Sequence, residues 1–215
     1  MKKTQSGFTL VEIAIVLVII GLLLGGVLKG QAMIESAKVK NLGNDLKGIE
    51  TAFYAYQDKF RALPGDDITA ATHVTGATNA TTGGTVGNGR IEGVWNSTTA
   101  TNESALFWQH IRLAGLATGN STAGTLGTNA AGGTMGISST SPLSGYTAGS
   151  GGVIGGSHYV CSSGIDGKLV RQLDIMIDDG SALKGSLVAA TDAAPTTALT
   201  AEPVDGTAYT VCLAF

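Results

Sequence analysis

Apolar residues are concentrated in one block near the beginning of the chain. The stretch from Phe8 to Leu28 reads FTLVEIAIVLVIIGLLLGGVL, and Glu12 is its only charged residue. Its 21 residues would form a helix about 31 Å long, which matches the hydrocarbon core of a bilayer. The pattern predicts a membrane-spanning helix with one carboxylate near its start. A carboxylate inside a membrane helix usually has a function and a partner group. The alternative is that the Glu12 side chain extends to the lipid headgroups.

Beyond this block the apolar positions recur at alternating spacings of three and four residues. Charged side chains surround this stripe, so we predict one long helix from about residue 8 to about residue 60. Two glycines interrupt the stripe, which favours a face that packs on a sheet over a coiled-coil seam. Pro64 disfavours helical geometry in the preceding residue and ends the helix, and Asp66 and Asp67 are expected to stabilise a solvated turn instead of binding a cation. The stripe consists of Val39, Leu42, Leu46, Ile49, Phe53, Tyr56 and Phe60.

Residues 62–156 form a variable region that is rich in Gly, Thr and Ala and has few large apolar side chains. One island, NESALFWQHIRLAGLATG, predicts a short amphipathic helix near 103–114, with Asn102 as its N-terminal cap. Trp108 and His110 are interpreted as packing residues of this helix in preference to ligand-binding residues.

Residues 157–215 alternate in polarity as strands do. We identify four candidate strands, with the sequences SHYVC, KLVRQLDIMI, SLVAA and AYTVCLAF, and turns at GIDG and DDGSALKG. Asp174, Asp178 and Asp179 raise a calcium hypothesis. A simple turn is favoured, because the D-x-[DN]-x-[DN]-G loop with its distal glutamate is missing. The sequence thus predicts a small antiparallel sheet and assigns no metal.

Cys161 and Cys212 are the two cysteines of the chain. Outside the cytoplasm they are expected to form one disulfide, which would close a loop of about 50 residues and contribute about 4 kcal/mol in the chain-entropy treatment. Two buried free thiols are the alternative. No third cysteine or neighbouring histidine pair suggests zinc.

Charge and motif content limit the classes of function. The net charge is −3 and the later part of the chain has no Lys/Arg cluster, so no nucleic-acid partner is predicted. The sequence contains no G-x-S-x-G, P-loop, G-x-G-x-x-G or H-E-x-x-H motif. We therefore predict neither an enzyme nor a cofactor.

Two lysines, Lys2 and Lys3, precede the apolar block. They favour a cytoplasmic N-terminus with the remainder of the chain translocated. A secretory signal peptide has the same basic start, but its apolar run is shorter than this block. Cleavage after GQA at 30–32 keeps ordinary secretion as an alternative.

The segment KKTQSG followed by FTLVEIAIVLVIIGLLL resembles the N-terminal signal of type IV pilins and of the related pseudopilins of type II secretion. The resemblance implies that residues 1–7 are a leader, that prepilin peptidase cuts between Gly7 and Phe8, and that Phe8 is then N-methylated. It also implies that Glu12 faces the new amino terminus of a neighbouring subunit. This pairing would supply the partner that an acid in a membrane helix needs.

The resemblance also implies an α+β, pilin-like fold. A long N-terminal helix, transmembrane in its first half at 8–28 and amphipathic at 29–61, would pack on a small C-terminal antiparallel sheet with long loops. A disulfide-closed C-terminal region is likewise similar to that of type IV pilins.

The function implied is that of a structural subunit of a type IV pilus-like filament. Its partners would be copies of itself or other pilins, prepilin peptidase, an inner-membrane assembly platform, and membrane lipid before assembly. It would reside in the bacterial inner membrane with a periplasmic C-terminal domain, and after assembly in an extracellular pilus or a periplasmic pseudopilus. The alternatives are a pseudopilin of type II secretion and, in another class, a single-span anchored binding module in which Glu12 is incidental.

Overall fold

The structure, a computed structural model, describes residues 9–81, 84–142 and 155–215. The chain divides into two compact units, Met1–Lys38 and Val39–Phe215. In chain order the elements are α1 (Leu10–Phe60), α2 (Ala70–His73), α3 (Glu103–Leu113), β1 (Gly127–Thr128), β2 (Thr134–Ser138), β3 (Tyr159–Asp166), α4 (Gly167–Ile177), β4 (Leu187–Thr191) and β5 (Ala208–Ala214).

The first unit consists, in its described part, of the amino-terminal portion of helix α1. Its large apolar side chains between Leu10 and Ile34 are exposed to solvent. Within the described residues, α1 is the one helix that is long and apolar enough to cross a membrane, judged by length and composition. The predicted long apolar helix is therefore present, and no other described segment of the first unit packs on its apolar surface.

In the second unit, the later part of α1 contributes a buried stripe to the core. Val39, Leu42, Leu46, Ile49 and Phe53 pack in one cluster with residues of the sheet and of the other helices. The spacing of three and four residues places these side chains on one helix face. The prediction that this face packs on a sheet is confirmed.

The helix ends at Phe60, where the backbone turns sharply. Arg61 has a positive φ of 57° and Gly65 a φ of 97°. A Cβ on Gly65 would lie 2.4 Å from the backbone oxygen of Glu103. Glycine is therefore required for the conformation and for the close approach of this turn to α3.

The second unit contains a five-stranded antiparallel sheet with strand order β1-β2-β3-β5-β4. Side chains alternate between its faces, as the period of a strand requires. On β5, Val211 and Leu213 join the helix-covered core, whereas Cys212 and Ala214 join a smaller cluster that Trp95 covers. The α+β fold, a long N-terminal helix with a C-terminal antiparallel sheet, is thus as predicted.

Two details of the predicted sheet are wrong. The segment KLVRQLDIMI lies in the helix α4 and is not a strand. Leu169, Val170 and Leu173 fall on one face of this helix. The Asp166 carboxylate caps it by accepting from the backbone N–H of Lys168. In addition, β1 and β2 come from the Gly/Thr-rich region, before residue 157. Their small residues gave little strand signal.

Candidate functional site

Helix α1 begins with a reciprocal pair of side chains. Thr9 donates its backbone N–H and its hydroxyl to Oε2 of Glu12, each at 2.8 Å, and the backbone N–H of Glu12 donates to Oγ1 of Thr9 at 3.2 Å. Thr9 is the N-cap residue and Glu12 is the third helical residue, which is the capping box arrangement. The pair satisfies two backbone N–H groups that the first turn of a helix leaves without partners.

The carboxylate of Glu12 therefore has partners within its own chain. A negative charge in the first turn also interacts favourably with the helix dipole. The T-x-x-E spacing at 9–12 is the sequence signature of this capping box. Both bonds from Thr9 go to Oε2, and neither goes to Oε1.

Residues 2–28 match the family model of the prokaryotic N-terminal methylation motif, the signal of type IV pilins and pseudopilins. The chain carries the signal of a type IV pilin or pseudopilin precursor. This signal implies processing by prepilin peptidase and assembly with other pilins, and it indicates a structural subunit and not a typical enzyme. With the apolar helix α1, it fits a membrane-anchored pilin.

No curated protein and no solved structure matches the chain. The family match covers residues 2–28, the amino-terminal segment of the chain. Gly7 and Phe8, the residues of the predicted cleavage and methylation site, lie outside the described residues, whereas Glu12 lies within them.

The two cysteines are joined in the sheet of the second unit. Cys161 on β3 and Cys212 on β5 are register partners with a Cα–Cα distance of 4.1 Å, and they form a disulfide. Both are fully buried, beside Trp95. The bond closes a sequence separation of 51 residues, so it limits the unfolded chain more than it shapes the already hydrogen-bonded strands.

The three acids of the calcium hypothesis have protein partners. Oδ1 of Asp174 accepts from the backbone N–H of Gly180 at 2.6 Å, and Asp179 pairs with Lys184 at 2.9 Å. Asp178 accepts from the backbone of the chain entering β4. Among the described residues, no group of three or more His, Cys, Asp or Glu is arranged to hold a metal ion. These acids serve the turn between α4 and β4.

Asp67 lies in a buried polar cluster at the end of α1. Its Oδ2 accepts from the Tyr56 hydroxyl at 2.8 Å and lies 2.6 Å from Nδ1 of His73, and its Oδ1 accepts from Thr69. Burial acts to raise the pKa of Asp67, but the hydrogen bonds, that from His73 foremost, hold it below its ordinary value. The expectation that Asp66 and Asp67 are solvated is wrong, because both carboxylates are buried and bind loop backbone or side chains.

His110 is fully buried in α3 and joins two loops. Its Nδ1 accepts from the backbone N–H of Gly65 at 2.9 Å, and its Nε2 lies 2.7 Å from the carbonyl oxygen of Thr78. The imidazole is therefore neutral with its proton on Nε2. Burial lowers the pKa of His110 and keeps it in this form. The prediction that His110 is a packing residue is confirmed.

Asn102 occupies the cap position, although its side chain donates to Ser97 and makes no capping bond.

A cleft of about 410 Å³ lies between α1, α3 and the chain around β1. Trp108 and Arg112 line one side, with the guanidinium 4.8 Å from the indole ring, and Asp45 lines the other. The guanidinium donates to three carbonyl oxygens of residues 120–126. Arg112 is thus occupied in holding a loop over the buried Trp108, which supports the interpretation of Trp108 as a packing residue.

Proposed function

We propose that this protein is a structural subunit of a type IV pilus-like filament. The observation that carries the proposal is the methylation motif at residues 2–28, which includes the start of helix α1 and most of its exposed apolar surface. In this proposal prepilin peptidase removes residues 1–7 by cutting between Gly7 and Phe8, and Phe8 is N-methylated. The precursor lies in the bacterial inner membrane, with its N-terminus in the cytoplasm and its disulfide-bonded domain in the periplasm.

The exposed surface of α1 gives a physical reason for assembly. A helix of this composition is stable in lipid, and a subunit that leaves the bilayer must exchange lipid contacts for equivalent contacts with other helices. Copies of the same chain, or other pilins, offer such surfaces. Residues 8–28 would make these contacts, and residues 29–61 would continue the helix into the domain formed by the variable region 62–156 and the sheet region 157–215.

Glu12 supplies the polar part of the proposed contact. Its Oε2 is bound by Thr9 of the same chain, and Oε1 would accept from the amine of Phe8 on a neighbouring subunit. A carboxylate and an ammonium that meet in an apolar environment attract each other strongly, although both must first lose their water. Because a misplaced subunit would leave that charge buried without a partner, the pair favours one register of addition.

Mass spectrometry of the mature N-terminus tests the processing step. The expected product begins at N-methylated Phe8 and lacks the seven leader residues. A mature chain that begins at unmodified Met1 would support an anchored binding module, and one that begins at Met33 would support ordinary secretion. Either result would contradict the proposal.

Filament incorporation tests the role of Glu12. Glu12→Val and Glu12→Gln are expected to reduce the fraction of subunits in sheared filaments, while the chain remains in the membrane fraction. Glu50→Gln, which changes an acid on the same helix outside the apolar block, is the matched control and should assemble normally. Normal assembly of both Glu12 variants would refute the pairing. Filaments confined to the periplasm would assign the protein to the pseudopilins.

A further inference from the structure

The exposed turn Gly87-Asn88-Gly89 contains the one Asn-Gly pair of the sequence. An asparagine side chain can be attacked at Cγ by the backbone nitrogen of the following residue, which gives a five-membered succinimide. Glycine at the following position leaves this approach unhindered, since it has no Cβ. Gly89 also has a φ of 78°, a conformation that other residues adopt rarely.

The side chain of Asn88 is folded back over the chain that would attack it. Its Oδ1 accepts a hydrogen bond from the backbone N–H of Arg90 at 2.9 Å. This is an Asx turn, in which the side-chain carbonyl follows the course of the backbone. The bond keeps the side-chain carbonyl of Asn88 on the side of the backbone that follows it. It also directs an N–H at the oxygen that gains negative charge when Cγ is attacked.

A buried carboxylate holds the attacking nitrogen. The backbone N–H of Gly89 donates to Oδ2 of Asp66 at 2.7 Å, and the N–H of Gly87 donates to Oδ1 of the same side chain. Asp66 is only 4% exposed, so water competes little for these oxygens. An ionised carboxylate is an acceptor alone and can take the proton of Gly89 as a general base.

We propose that this fold promotes succinimide formation at Asn88, with Asp66 as the base and the Arg90 N–H as the oxyanion donor. The bond between Gly89 N and Asn88 Cγ forms while the Gly89 proton passes to Asp66. The bond between Cγ and Nδ2 then breaks, and ammonia leaves with that proton, which restores the carboxylate. Water afterwards opens the ring to an aspartyl or isoaspartyl residue.

The product places a new carboxylate next to Asp66. That acid already acts electrostatically on the buried Glu103, so the modification adds negative charge to an acidic part of the loop. Older copies of the protein would therefore be more acidic than newly made ones, and their 84–93 loop would contain the longer isoaspartyl backbone.

The test compares one sequence in two states. The full chain in detergent micelles is incubated at physiological pH and temperature, native or unfolded in urea, and the tryptic peptide that ends at Arg90 is followed by mass spectrometry for replacement of the amide by a carboxyl group. A positioned general base contributes on the order of 10²-fold, so we expect the native chain to react at least about tenfold faster. Equal or slower reaction in the native chain would overturn the proposal.

Two controls identify the groups responsible. Asn120 also forms an Asx turn, through Thr122, but is followed by Ser121; it serves as the internal reference and should stay largely unmodified. Asp66→Asn removes the base and should lower the native rate to about that of the unfolded chain. A folded Asp66→Asn variant, verified by its tryptophan fluorescence, that reacts at the wild-type rate would refute the role of Asp66. If that variant does not fold, the comparison of native and unfolded wild type still decides the proposal.

Discussion

Glu103, at the start of α3, is a carboxylate with too few partners for its burial. It is 0% exposed, its Oε2 accepts from the backbone N–H of Glu92 at 2.7 Å, and its Oε1 has no hydrogen-bond partner among the described residues. Burial, and after it the negative charges of Asp66 and Glu92, raises the pKa of Glu103 to about 7. The folded protein therefore holds this group in its neutral form more strongly than the unfolded chain does.

The direction of the pH dependence follows from this raised pKa. An acid whose pKa is higher in the folded state stabilises the fold fully below its unfolded value of 4.5, and this stability is lost as the pH rises toward 7. The shift corresponds to about 3 kcal/mol in total. Between pH 5 and pH 8 the part that is lost is about 2 kcal/mol, because some ionisation of the unfolded chain has already occurred at pH 5.

We expect Glu103→Gln to remove this loss. Glutamine has the same shape, its side-chain oxygen can accept from Glu92 N–H, and it does not ionise. At pH 5 the variant and the wild type should differ by no more than about one hydrogen bond, on the order of 1 kcal/mol. At pH 8 the free energy of unfolding of the variant should exceed that of the wild type by about 2 kcal/mol more than at pH 5.

Urea unfolding of the full chain in detergent micelles measures this difference. Trp95 and Trp108, the two tryptophans of the chain, are both buried and report on unfolding through their fluorescence. The quantity to compare is the difference in free energy of unfolding between variant and wild type at each pH. Burial raises the pKa of Asp174 to about 6, so Asp174 contributes to the pH dependence of both proteins and cancels in this difference. Glu50→Gln is the matched control for a change of glutamate to glutamine. If the difference in free energy of unfolding between Glu103→Gln and the wild type does not change with pH, the reasoning is refuted.

Three further changes test other parts of the structure. Thr9→Val removes the hydroxyl that caps α1 and contacts Glu12; it should lower helix stability by about 1 kcal/mol, measured by thermal circular dichroism in micelles, and reduce filament assembly. Reduction of the disulfide should lower the free energy of unfolding by about 4 kcal/mol, measured with and without reductant, while the strands stay paired in the native state. Gly136→Ala should prevent normal folding, because its Cβ would lie 1.8 Å from the backbone oxygen of Trp95; a wild-type melting temperature would contradict that contact.

The long helix could be predicted because its evidence is local. The first part of α1 is an almost unbroken apolar run, the turns of its later part repeat the same relation between apolar and charged positions, and Pro64 supplies a local stop. The helix α4 is harder to predict from the sequence, because the run KLVRQLDIMI is short and part of it fits the period of a strand as well as that of a helix. The Asp166 cap would have distinguished the two structures, but an aspartate before a glycine also indicates a turn.

The buried acids could not be predicted, because their burial depends on residues far away in the sequence. Asp66 is covered by a loop that begins about twenty residues later, and Glu103 is enclosed by the same loop. In a region of Gly, Thr and Asn, short side chains leave many backbone N–H groups to satisfy, and a carboxylate can accept several of them at once. Asp66, Asp67 and Glu103 thus organise loops that lack the apolar side chains of an ordinary core.

The same reasoning applies to the acid in the apolar helix. Glu12 accepts the N–H and hydroxyl of Thr9, so in the proposed membrane helix part of its hydrogen bonding would be satisfied without another subunit. The capping box leaves the charge of the carboxylate unmatched, since Thr9 contributes dipoles and no cation. A neighbouring ammonium would match that charge. In the proposed membrane helix the capping box would therefore lower the cost of Glu12, and the unmatched charge would still favour assembly.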